Sequence, residues 1–159
     1  MPDRVPSDAT ALTEDARRIL IENDRGGYTV PSARLYPFQW NWDSVFVALG
    51  WAEFDMERAW QEIDTLFKAQ WPSGMVPHIV FWTEEASYFP GPDVWRGERG
   101  GPSSSGISQP PVAATVVRHL IEAGGVLSEG RYDAIDRWHR WFHSARDPED
   151  QGIIAVVHP

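Results

Sequence analysis

Residues 43–52 read DSVFVALGWA, a segment that is apolar almost all the way round a helical wheel. A surface helix carries one apolar stripe and keeps its other face for water. This one has no face for water, so other elements must surround it on every side. The reading is a helix from about residues 42–44 to Ala52.

The neighbours follow from periodicity. Leu12, Ala16, Ile19 and Leu20 fall at i, i+4, i+7 and i+8, with Asp8 or Thr10 as a cap and Gly26-Gly27 just beyond the end. Asp55 caps a third helix whose face is Ala59, Trp60, Ile63, Leu66, Phe67 and Gln70. The connection between the second and third helices is short, which makes them an antiparallel hairpin. A further helix opens at Ser108 with Pro110 and Pro111 in its first turn, where a missing N–H costs little. It carries Val112, Val116, Val117, Leu120 and Ile121, and Gly124-Gly125 ends it. A last helix from about Ser128 turns Tyr132, Ile135, Trp138 and Phe142 inward, and GIIAVVHP follows as a strand-like tail. About five helices can hardly cover one apolar on all faces, which suggests part of a larger fold.

Between the hairpin and the later helices, residues 71–107 show no helical period. The run MVPHIVFW, residues 75–82, has strand composition, although Pro77 excludes an ordinary central strand. The Gly- and Ser-rich run GERGGPSSSG, residues 97–106, has little apolar surface to bury and is expected to be a flexible lid.

Composition narrows the function. Lys+Arg is 14 against Asp+Glu 23, a net charge of −9, which argues against nucleic acid as a partner. With no cysteine there is neither a disulfide nor a thiolate nucleophile. The longest apolar stretch, residues 45–52, is far short of the roughly 20 residues of a membrane helix, so no membrane partner is expected. MPDRVPSDAT lacks the basic region and apolar core of a signal peptide, which points to the cytoplasm.

Nine tryptophans are the strongest functional hint, because an indole suits a ligand face as well as a core. Sugars offer apolar C–H faces rimmed by hydroxyls, and a site for them needs aromatic platforms with polar groups between. The run YPFQWNWD supplies Tyr36, Gln39, Trp40, Trp42 and Asp43. Core packing with a helix-terminal carboxylate explains the same residues as well. A second cluster, residues 74–95, contributes His78, Glu84, Glu85, Tyr88 and Asp93; His78 reads as a structural histidine and the two glutamates as solvated charges. Gln109 lies in SGISQPP, its amide free to reach a ligand. His139 and His143 form an i, i+4 pair without an acidic partner at helical spacing, so neither a metal nor a cofactor is expected.

Taken in order, LYPFQWNWDSVFVALG, AQWPSGMVPHIVFW, YFPGPDVW and SGISQPPVAATV resemble the N-terminal part of glycoside hydrolase family 63, in its bacterial mannosylglycerate and glucosylglycerate hydrolase branch. The resemblance covers roughly residues 11–159. It implies an all-α, incomplete (α/α)6 toroid of antiparallel helix hairpins with one long irregular loop. Residues 1–159 would be the N-terminal portion of a single catalytic domain. It implies that Tyr36, Trp40, Trp42, Asp43, Tyr88 and Gln109 contact a small-molecule sugar substrate, while Gln39 and Asn41 fall where the family varies. The family's inverting acid and base lie beyond Pro159, so the chain alone is expected to be inactive. The alternatives are a trehalase or other α-glucosidase of the same fold, or a non-catalytic sugar-binding or scaffold domain.

Overall fold

The computed structural model describes residues 9–85, 88–95, 97 and 101–155. The elements are α1 (Ala9–Asn23), β1 (Gln39–Trp40), α2 (Asn41–Ala52), α3 (Met56–Phe67), β2 (Ile79–Val80), α4 (Pro92–Trp95), α5 (Ala113–Glu122) and α6 (Glu129–Arg146). Helices dominate, as the periodicity requires, and α4 is a single turn that the pattern does not reveal. Asp8, residues 98–100 and the end of the strand-like tail lie outside the described residues.

The α2–α3 hairpin is the centre of the molecule. Asp55 accepts the Arg58 backbone N–H at 2.9 Å, which starts α3 where the sequence puts it. Val45, Ala48 and Trp51 of α2 meet Ala59, Trp60, Ile63 and Leu66 of α3, and Val116, Val117, Leu120 and Trp138 complete the same cluster. α2 also packs on α5 and α1. It is nevertheless not covered on every side: Trp42 is 44% and Phe46 54% exposed, because these residues lie on the face that none of these helices covers.

Three other expectations are corrected. α1 lies on the outside with no buried residue; Leu12 and Ile19 are exposed, and only Leu20 of the stripe packs against the core. α5 begins at Ala113 rather than Ser108, so both prolines precede it. The Ser108 hydroxyl instead donates to Val76 O at 2.6 Å and accepts from the Trp138 indole at 3.1 Å, tying the loop to the core. In α6, capped by Ser128, Trp138 is fully buried but Tyr132 is 59% exposed and points away.

The Gly- and Ser-rich run is built in where it is described. Phe81 N–H donates to Ser103 O at 2.9 Å and Ser105 N–H to Ile79 O at 3.1 Å, adding residues 103–105 beside β2. Ser104 is fully buried; its hydroxyl donates to Gly97 O at 2.9 Å and accepts from the Trp71 indole at 3.0 Å. A Cβ at Gly97 would collide with the Ser104 carbonyl. Backbone pairing and buried hydroxyls, not lost entropy, govern these residues, and they do not form a free lid.

Candidate sugar site at the start of α2

β1 pairs antiparallel with β2 in the register Gln39 with Val80 and Trp40 with Ile79. Trp40 is also the N-cap of α2, so strand becomes helix without an intervening loop. The turn is held from behind. Asn41 N–H donates to His78 O at 3.0 Å, and the Asn41 side chain donates to Pro77 O at 3.1 Å. Residues on either side of this corner are therefore fixed in direction.

On the strand side the rings form an edge-to-face wall. Tyr36 meets Trp40 at 5.3 Å between centroids, Trp40 meets His78 at 5.2 Å, and His78 meets Trp95 at 5.2 Å. Tyr88 packs on Phe38 at 5.0 Å and on Phe81. Burial pushes the Tyr88 hydroxyl above its ordinary pKa, and Tyr36 adds to the shift. Tyr36 is exposed while Trp40 and Tyr88 are half-buried, so the wall shows part of its surface to solvent.

On the helix side, Trp42 and Asp43 line a shallow cavity of about 460 Å³ with Pro31, Phe46 and Val47. The Gln109 side-chain carbonyl accepts the Trp42 backbone N–H at 3.0 Å. That bond caps a donor that the helix itself leaves free, and it aims the Gln109 amide at this corner. Burial raises the Asp43 carboxyl above its ordinary pKa, partly offset by hydrogen bonding from its own backbone N–H and from Trp42. A half-buried carboxylate beside an exposed indole and an amide can bind hydroxyls and cover a C–H face. The structure thus gathers Tyr36, Trp40 and Tyr88 in one group and Trp42, Asp43 and Gln109 in another, and the backbone from the N-cap Trp40 into α2 links them.

Gln39 belongs elsewhere. It is fully buried, accepts the Trp82 indole N–H at 2.7 Å and donates weakly to Glu62 at 3.4 Å. That leaves no edge for a sugar. His78 is structural: its Nδ1 lies 2.5 Å from Ser105 Oγ, and burial lowers its pKa to about 4. Glu84 and Glu85 are exposed. Among the described residues, no three His, Cys, Asp or Glu side chains form a metal cage.

The sequence reading missed the charged group behind β1. Glu62 is 0% exposed and accepts Thr29 N–H at 3.1 Å, Thr29 Oγ1 at 2.9 Å and Arg58 at 2.9 Å. Arg58 also reaches Asp24 at 2.8 Å. The i, i+4 spacing of Arg58 and Glu62 was the available signal, but nothing local says that such a pair is buried.

Residues 36–159 match the family described as mannosylglycerate hydrolase MGH1-like glycoside hydrolase domain. The mannosylglycerate hydrolase of Thermus thermophilus is 51% identical over 152 residues, covering 91% of this chain and 37% of that protein. Mannosylglycerate hydrolase MGH2 of Selaginella moellendorffii is 49% identical over 99% of this chain and 33% of its own length. The glucosylglycerate hydrolase of Mycolicibacterium hassiacum is 37% identical over 99% of this chain and 39% of its own length. The crystal structure of the family 63 mannosylglycerate hydrolase of Thermus thermophilus, in complex with Tris and D-glycerate, superposes with a TM-score of 0.82 and 48% identity. It matches 93% of this chain, which covers 37% of that one. The chain spans about a third of the length of these relatives.

Proposed function

The chain belongs to the mannosylglycerate hydrolase MGH1-like glycoside hydrolase domain family, and on that premise we propose that it forms the N-terminal part of an inverting α-glycoside hydrolase. The substrate is a small glycosyl conjugate such as mannosylglycerate or glucosylglycerate, and the site of action is the cytoplasm. The observation that carries this reading is the corner at α2, where Trp42, Asp43 and the Gln109 amide meet beside the Tyr36–Trp40–Tyr88 wall. Aromatic faces take the apolar side of a pyranose, and a carboxylate next to an amide takes adjacent hydroxyls through charge-assisted bonds.

In this reading the six side chains bind and orient the sugar, and residues beyond Pro159 supply the chemistry. Inversion needs one carboxylic acid on the glycosidic oxygen and one carboxylate on a water at the opposite face. Asp43 is a binder, fixed at a helix start where the N-terminal dipole favours its charge. The reading carries an all-α toroid completed by the remaining two thirds of the domain, with residues 1–159 as one portion of it.

Turnover assays test the proposal. A longer protein that carries this chain with its continuation should release glycerate from mannosylglycerate or glucosylglycerate with inverted anomeric product. The 159-residue chain alone should release none. Release by the short chain would place the catalytic pair among the residues assigned to binding. Failure of the longer protein on both glycosides, with turnover of trehalose, would move the substrate to the α-glucosidase alternative.

A further inference from the structure

Arg146 closes α6 and is only 9% exposed. Its guanidinium lies 5.2 Å from the centroid of the Trp141 ring. Among the described residues, no carboxylate lies within ion-pair distance of it, and its N–H groups donate no hydrogen bond. The acids next to it are engaged elsewhere. Asp147 accepts the backbone N–H groups of Gln151 at 2.8 Å and Gly152 at 2.7 Å, and Glu149 accepts the Gln151 amide at 2.6 Å.

The fold treats its other sheltered arginines differently. Arg58 is paired with Asp24 and Glu62, and Arg131 holds both oxygens of Asp64. A guanidinium removed from water without a counter-charge is costly, and truncating its partner is among the more damaging changes a protein can suffer. Arg146 is nearly as buried as Arg58 but has no ion pair among the described residues, and it lines an open cavity.

A cavity of about 820 Å³ opens beside it, between the 107–111 loop and the C-terminal half of α6. Ile107 and Phe142 give it apolar walls, and Gln109, His139 and His143 give it polar ones. His139, His143 and Arg146 stand at i, i+4 and i+7, so they share one face of the helix.

We infer that this cavity is a carboxylate-binding site, in which Arg146 takes the carboxylate with its planar fork and His139 and His143 flank it with ring N–H groups. Arginine suits this role because its paired donors match two carboxylate oxygens and it sheds water more readily than an ammonium. The apolar walls accommodate a short hydrocarbon stem behind the charge. Two sources share this chemistry: an acidic side chain from residues C-terminal to those described, or a small free carboxylate. The inference does not depend on the hydrolase reading, since it rests on Arg146, the two histidines on its helix face and the cavity they line.

Thermal melts of a longer protein carrying this chain test it, with sodium propionate as the probe and sodium chloride as the ionic-strength control. If the carboxylate is a side chain of the protein, Arg146→Gln should lower the melting midpoint by roughly 5 °C or more, and Arg146→Lys by less. If the carboxylate is free, propionate raises the parent midpoint saturably and leaves Arg146→Gln unmoved. If it is a side chain of the protein, propionate moves neither, and the loss in Arg146→Gln persists throughout. Should Arg146→Gln fail to fold, the nitrogen NMR signal of the parent's Arg146 side chain decides. A shifted, slowly exchanging Nε–H supports the pair. The inference is overturned if that proton exchanges freely with water, or if Arg146→Gln melts at or above the parent and propionate does not raise the parent midpoint. These readouts involve no glycoside, so they stand or fall separately from the turnover assays.

Discussion

The Gln109 side-chain oxygen and the Trp42 backbone N–H are 3.0 Å apart, joining the loop before α5 to the first turn of α2 across 67 positions of sequence. One bond does two things: it satisfies a helix-terminal donor and it brings the Gln109 amide to the candidate sugar site. Substitutions can separate these roles. Gln109→Leu removes both and should cost about 1 kcal/mol of stability, on the scale of a lost helix cap, together with sugar affinity. Gln109→Glu keeps an acceptor for Trp42 but loses the amide donor. Its melting midpoint should stay near the parent's while KM rises, a contrast that melts and steady-state kinetics read directly.

Trp42 is 44% exposed and lines the same shallow cavity as Asp43. Trp42→Ala in a longer active protein should weaken substrate binding by roughly 1–3 kcal/mol, the scale of burying one large side chain. Asp43→Asn should cost more, since it replaces charge-assisted bonds with neutral ones. Unchanged Michaelis parameters in both variants would remove these residues from the site.

His78 makes stability depend on pH, and the sign follows from its burial. Its pKa falls from the ordinary 6.5 to about 4, so the imidazole is neutral in the folded chain over a range where the unfolded chain is protonated. The unfolded state then binds more protons, and stability drops as pH falls through this window. The contribution is complete above about pH 6.5 and is lost by about pH 4, amounting to as much as about 3 kcal/mol. Denaturant melts across that window should show a flatter slope for His78→Gln than for the parent.

Glu62 and Arg58 form a buried pair at 2.9 Å that also holds Thr29 and touches Gln39. Removing one partner strands the other. Glu62→Ala should cost about 3–5 kcal/mol. The double change Arg58→Met with Glu62→Leu should cost clearly less than the sum of the single changes, because the sites share one network. Additive losses in urea unfolding would show that the pair is not coupled.

Much of the architecture was legible because it is written in neighbouring residues. Asp55 and Ser128 each accept an N–H three positions on, and Gly124 takes a φ of +97° after α5, so caps and ends are local events. The apolar run of α2 and the stripes of α3 and α5 follow from a helical period. Tyr36, Trp40, Trp42 and Asp43, the residue types on which the sugar proposal rests, are likewise written in one short run of sequence. What the period cannot show is which side of a helix finds a partner. α1 has a stripe yet buries none of it, and Tyr132 lies on the expected face of α6 yet points to solvent.

The remaining decisions needed contacts across long sequence separations. Ser108 reads as a helix cap until Val76 O and the Trp138 indole claim its hydroxyl, and α5 then starts later. Gln39 reads as a sugar ligand until Trp82 and Glu62 enclose it. Ser104 reads as part of a loose loop until Trp71 and Gly97 bury it. Arg146 reads as an ordinary helix-terminal cation until the fold buries most of it with no ion pair among the described residues. Hydrogen-bonding side chains have several acceptable partners nearby, and burial makes the choice among them consequential. The sequence alone determined the longer helices in outline, the caps of α3 and α6, and the residue types that stand at the α2 corner; the tertiary structure decided where α5 begins and which polar groups lose water, because only packing sets that cost.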